Sequence, residues 1–172
     1  MGGIIKQGEW AWNACGSRLQ VVALRNGQNM SSYEFSESQG YDSSGIKWVE
    51  ELFPGNKESV LLAVVLECFC GNAATRIEIF SVASGSVIAS MQLQLHVTCA
   101  KFMEPSVCRR TLLQNFDGCL AVGSEEGVVL MLDLNIGKYL NQIDHQLDDL
   151  GRVSSSIRTQ FCHIVDFRMS LN

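Results

Sequence analysis

Short apolar runs recur along the chain every eight to twelve residues, separated by Gly, Ser, Asn and Asp. No stretch keeps the i, i+3, i+4, i+7 spacing of an amphipathic helix over several turns, so the pattern predicts an all-β protein. The runs differ in kind. "LLAVVL" (61–66) and "CLAV" (119–122) are apolar at consecutive positions, as in strands covered on both faces. "RIEIFSV" (76–82) alternates instead, which places Ile77 and Ile79 inward and Arg76 and Glu78 away. "KYLNQI" (138–143) has the weaker pattern expected of an outermost strand.

Three segments repeat one order: a buried strand, a polar turn, a strand ending in an apolar or aromatic residue, a turn containing glycine, and a further strand. The first runs from "WNACG" through "RLQVVAL" and the turn at Gly27 to "NMSSYEF". The second runs from "VLLAVVLECF" through "RIEIFSV" and the turn at Gly85 to "SVIASMQL". The third runs from "GCLAVG" through the Gly123–Gly127 turn, "VVLMLDL" and the turn at Gly137 to "KYLNQI". Gly27, Gly85 and Gly137 are 58 and 52 residues apart. "GIKWVEEL" and "VTCAKFM" precede the second and third units and supply a fourth strand to each.

Four antiparallel strands at such a period predict β-propeller blades. The expected fold is a partial, WD-like β-propeller of about three blades, over residues 10–36, 45–93 and 96–144. Residues 151–172 are then a tail or the truncated start of a further blade. The glycines Gly27, Gly85, Gly123, Gly127 and Gly137 are assigned to turns, where a tight hairpin needs a positive φ. The Trp-Asp pair and the Gly-His pair of WD40 repeats are both absent; the positions matching Trp-Asp read Phe80-Ser81 and Leu132-Asp133.

Composition narrows the functional classes. With 47% hydrophobic and 18% charged residues in 172, the chain has the make-up of a globular protein with a core. A net charge of -5 gives no basic footprint for a phosphate backbone, which argues against direct nucleic-acid binding. The first residues lack the charged and apolar regions of a targeting signal, and Lys6 replaces the Ser or Thr that N-myristoylation favours. The longest apolar run, Val60–Leu66, is too short to span a bilayer, so no membrane insertion is expected. Seven scattered cysteines in apolar surroundings read as reduced core thiols in a cytosolic or nuclear protein.

No residue set carries chemistry. The Gly123-Ser124-Glu125-Glu126-Gly127 turn leads into a strand rather than a helix, and its carboxylates repel phosphate, so it reads as a hairpin. Cys68 and Cys70 form one tight pair where structural zinc favours two. His96, His145 and His163 lie far apart, and the acidic run 144–149 lacks the calcium-loop order. No catalytic, cofactor or metal residues are assigned, and no small-molecule substrate is implied. Trp10, Trp12 and Trp48 stand near loops, where blade packing is the leading explanation and a binding surface the alternative.

Beyond this, "ACGSRLQVVALRNGQNMSSYEFS" (14–36) resembles the first blade of the ELYS-type nucleoporins, with its Ala-Cys-Gly entry, paired valines, turn glycine and Ser-x-Tyr-x-Phe-Ser strand. The stretches beginning "LLAVVLECF" and "GCLAVGSEEG" are similar to that family's second and third blades in order and spacing. The resemblance implies part of an N-terminal seven-bladed propeller in a large nuclear-pore scaffold. It implies Y-subcomplex proteins as partners, a role in docking that subcomplex on chromatin, and a place at the nuclear envelope. The basic and AT-hook regions of that family have no match in these residues. The alternative is a divergent WD-type scaffold of another complex, in vesicle tethering or ciliary transport. Three blades cannot close a ring, so the reading is a fragment or short isoform whose terminal sheets expose apolar faces and associate edge to edge.

Overall fold

Consecutive apolar residues at 61–66 require a strand with two dry faces, and the fold provides them by placing that strand in the middle sheet of a stack of three. The computed structural model describes residues 1–35, 43–54, 59–68, 74–111 and 113–134, together with the backbone of 164–168. The first sheet is a meander of β1 (Gly2–Ile5), β2 (Trp10–Cys15), β3 (Arg18–Ala23) and β4 (Asn29–Glu34). The second consists of β5 (Ser43–Leu52), β6 (Leu61–Cys68), β7 (Thr75–Ser81) and β8 (Ser86–Leu93). The third consists of β9 (Val97–Met103), β10 (Cys119–Ser124), β11 (Val128–Asp133) and β12 (Ile164–Arg168). All pairings are antiparallel, giving an all-β partial propeller of four-stranded blades.

The middle sheet divides its side chains between its neighbours with the period of two that a strand imposes. Leu62, Val64 and Leu66 of β6 join Ile5, Leu19, Val21 and Phe35 of the first sheet in one buried cluster. Leu61, Ala63 and Val65 join Phe102, Leu120, Val122 and Leu132 of the third sheet in another. These two seams hold most of the core. Leu62, Leu66, Leu120 and Leu132 are completely buried, and full burial of such a side chain contributes about 1.5–3 kcal/mol. At the outer end of the first seam, Tyr33, Phe35 and Phe80 pack with ring centroids 4.8–5.7 Å apart, a spacing suited to edge-to-face contact.

The boundaries differ from the expected ones at both ends. The first sheet starts at Gly2 rather than near residue 10, because the Gly-Gly-Ile-Ile segment pairs with β2. Gly3 suits this pairing: a Cβ there would lie 2.7 Å from the Trp12 indole nitrogen, so only glycine lets that ring cross β1. The Met1 ammonium and carbonyl bond to the Ala14 carbonyl and amide, fixing the strand end. In the third sheet, the strand paired outside β11 is Ile164–Arg168, from the segment expected to be a tail or the start of a further blade. "KYLNQI" lies outside the described residues.

Candidate functional site

The hairpin turns come first, since their glycines were the residues singled out by sequence. Gly27, Gly85 and Gly127 have φ of 68°, 62° and 75°, and they end the β3–β4, β7–β8 and β10–β11 connections. Around Gly127 the turn is closed by its own amide bonding the Ser124 carbonyl and by the Val128 amide bonding Ser124 Oγ. Glu125 and Glu126 are exposed there, and the Glu125 amide bonds the His96 carbonyl, tying the turn to the segment before β9. Gly123 is different from its assignment. It lies within β10 at a register shift, paired with Cys99, and a Cβ would lie 2.9 Å from the Cys99 sulfur. Close approach of a neighbour, rather than a turn, is what glycine accommodates at 123. Gly137 lies outside the described residues.

Among the described residues, the candidates for chemistry are not assembled into a site. Among the described residues, no group of three or more His, Cys, Asp and Glu is placed to hold a metal ion. Cys68 is buried at the end of β6, while Cys70, His145, His163 and the run 144–149 lie outside the described residues. Trp10 and Trp12 are half-buried and pack on the seam between the first two sheets, whereas Trp48 is 38% exposed. Among the described residues no helix is long and apolar enough to cross a membrane.

What the structure does assemble is a set of polar ties across the seams, which sequence reasoning missed. Glu50 and Glu51 are consecutive on β5, so their side chains leave opposite faces. Glu50 Oε1 accepts the Phe102 amide at 3.1 Å and the Lys101 ammonium at 2.7 Å, joining the second sheet to the third. Glu51 Oε1 accepts the Lys6 amide at 2.9 Å, joining the second sheet to the first. The first strands of neighbouring sheets are thus bound by carboxylate-to-backbone bonds in addition to apolar contact. The only sequence signal was the adjacency of two acids in "KWVEEL", which an alternating strand sends to different partners.

Arg76 and Glu78 show a second departure. Both do point away from Ile77 and Ile79, but the face they occupy is covered by the first sheet, and they are 4% and 6% exposed. Arg76 Nε lies 2.7 Å from Glu78 Oε1, yet its N–H is not directed at an acceptor. Ser90 Oγ donates to the same carboxylate oxygen at 3.1 Å. Burial pushes the Glu78 carboxyl above its ordinary 4.5, outweighing the Arg76 charge and the Ser90 hydroxyl, which pull it down. The alternation of "RIEIFSV" correctly separated two faces. It carried no information that both would be dry.

A narrow apolar groove opens between the second and third sheets on the side of β8, lined chiefly by Ile77, Ile88, Met91 and Leu132. Its lining offers no convergent polar groups for catalysis or for orienting a polar ligand.

No protein-family profile and no curated protein matches the chain. Among solved structures it is similar to a chain of the structure described as "Crystal Structure of Mitotic Checkpoint Complex", at 20% identity and a TM-score of 0.50, covering 79% of this chain and 34% of that one. It is similar also to the WD40 domain of SCAP from fission yeast, at 14% identity and a TM-score of 0.50, covering 77% of this chain and 28% of that one. The chain spans about a third of the length of these structures. The fold these likenesses and the three four-stranded sheets define is a partial, WD-like β-propeller.

Proposed function

We propose that this chain is a non-enzymatic scaffold that binds other proteins through its turns and sheet rims. The observation that carries this reading is the structure's use of the charged residues along its seams. Glu50 and Glu51 tie neighbouring sheets together, Arg76 and Glu78 pair with each other on β7, and among the described residues no cluster of His, Cys, Asp and Glu is placed to hold a metal. Similarity to WD40 propellers supports protein partners rather than a small-molecule substrate, a nucleic acid or a membrane. A purified chain that turned over a substrate, and lost that activity on Glu125 or His96 substitution, would overturn the non-enzymatic reading.

The finer reading is part of an ELYS-type nucleoporin propeller, with Y-subcomplex proteins as partners and a place at the nuclear envelope. The stretch from Ala14 to Ser36 supports it through its resemblance to that family's first blade. Fluorescent tagging tests it: the tagged chain is expected at the nuclear rim, and proximity labelling is expected to recover pore proteins. A diffuse cytosolic distribution with partners from another assembly would sink it. That outcome would favour the second reading, a WD-type scaffold of a vesicle-tethering or ciliary complex. The similar structures belong to a mitotic checkpoint complex and to SCAP, which keeps a non-pore scaffold in view.

A further inference from the structure

In a propeller each sheet is covered on both faces by its neighbours, and the outer face of the third sheet is where a following sheet stacks. Strand alternation defines that face. Phe102, Leu120, Val122 and Leu132 face the second sheet; the intervening Met103, Cys119 and Met131 therefore face away. They are not left open. The connection from β9 to β10 folds back over them through a one-turn helix, Pro105–Cys108, and the turns that follow. Cys108, Leu113 and Phe116 bury themselves with Cys119 in a separate apolar cluster, against which Met103 and Met131 pack.

The connection is held in its folded-back shape by its own bonds. Thr111 Oγ1 donates to the Cys108 carbonyl at 2.8 Å and accepts the Leu113 amide at 3.2 Å, while the Phe116 amide bonds the Leu113 carbonyl. Beyond the cluster, the same face of β9 and β10 carries small or exposed residues. Cys99 and Lys101 are exposed, and across from them stand Gly123 and Ala121. By comparison, the two seams between the sheets are built mainly of Leu, Ile, Val and Phe.

We infer that residues 104–111 and 113–117 form an end cap, which occupies the part of the third sheet's outer face around Cys119 where a further sheet would stack. The expectation of an exposed apolar face at this end is therefore corrected in part: the chain itself covers Cys119 and packs against Met103 and Met131. The inference does not depend on which partners the scaffold binds. For a fourth sheet to pack on the third as the third packs on the second, the cap must first be displaced.

Thiol labelling and solution mass of the full chain test this, with Cys70 and Cys162 replaced by serine in every sample. In the parent chain, Cys15 and Cys99 are expected to label freely, because they are exposed. Cys68, Cys108 and Cys119 are expected to be protected, and the chain to be monomeric. In the double variant Leu113→Asp, Phe116→Asp, labelling of Cys108 and Cys119 is expected to accelerate by about an order of magnitude or more, as local opening becomes easier. Cys68, buried in the second sheet, is expected to stay protected, and the mass is expected to rise with concentration as uncapped faces meet. If Cys68 labels in step with Cys119, the segment is an inseparable part of the core and the inference fails. It fails equally if Cys119 of the parent labels as fast as Cys99, or if the variant keeps the parent's rates and mass.

Discussion

The Arg76–Glu78 pair, two residues apart on β7 and buried on the face that meets the first sheet, offers a direct measurement of what an interior ion pair contributes here. Both side chains are more than nine-tenths buried, and the structure sets a 2.7 Å ionic contact and one hydroxyl donor against the loss of water from two charges. The upward displacement of Glu78 states which wins: desolvation exceeds the attraction. Removing Glu78 alone, as Glu78→Leu, strands a buried guanidinium and is expected to cost about 3–5 kcal/mol. Replacing both residues, as Arg76→Met with Glu78→Leu, removes both desolvation penalties and is expected to leave stability unchanged or raise it by about 1–4 kcal/mol. The sign of the pH dependence follows from the raised carboxyl. Between 4.5 and its higher folded value, the folded chain binds more protons than the unfolded one, so the Glu78 contribution falls as pH rises through that window. Urea unfolding followed by tryptophan fluorescence, for the parent, both single variants and the double variant at several pH values, gives the cycle. The reasoning is refuted if the double variant loses as much as the two single losses added together. It is refuted also if the parent gains stability across the acid window in a manner that Glu78→Gln abolishes.

Three further outcomes follow from the seams and turns. Leu62→Ala, emptying a fully buried site between the first and second sheets, is expected to lower unfolding free energy by about 2–5 kcal/mol, read by urea denaturation. Glu50→Ala leaves the Phe102 amide without its carboxylate partner; a loss of about 1–3 kcal/mol is expected, with Glu50→Gln recovering part of it because the amide oxygen still accepts. Gly127→Val, at φ 75° with open space around it, is expected to cost about 1–2 kcal/mol from backbone strain alone. Gly123→Ala is expected to cost less, because the Cys99 side chain it meets is exposed and free to turn aside. Equal losses at the two glycines, in thermal unfolding by circular dichroism, would contradict the distinction between turn and strand.

The burial of Cys119 has a chemical corollary. Its thiol is pushed up to about 12, first by burial and then by the neighbouring Cys108 and Asp133, so it stays protonated at neutral pH and lacks a nucleophilic thiolate. The core-thiol reading of these cysteines was available from their apolar neighbours in sequence. Which of them stay reachable was not, because Cys99 and Cys119 sit in equally apolar runs and differ only in what lies over them.

The local pattern of the chain determined a good deal by itself. Alternation and turn residues specified β6, β7, β10 and β11 and their hairpins, because these are properties of adjacent residues and of the φ that Gly27, Gly85 and Gly127 adopt. The repeat then specified four-stranded sheets in series. Tertiary structure decided the rest. Only stacking made the second face of β7 dry and turned Arg76 and Glu78 from solvent residues into an interior pair. Only a pairing over a long separation brought Ile164–Arg168 beside β11, and only the fold-back of 104–111 and 113–117 covered Cys119 of the third sheet. The physical reason is common to all of these: sequence periodicity reports which face a side chain shares with its neighbours, whereas desolvation depends on what the distant chain places over that face.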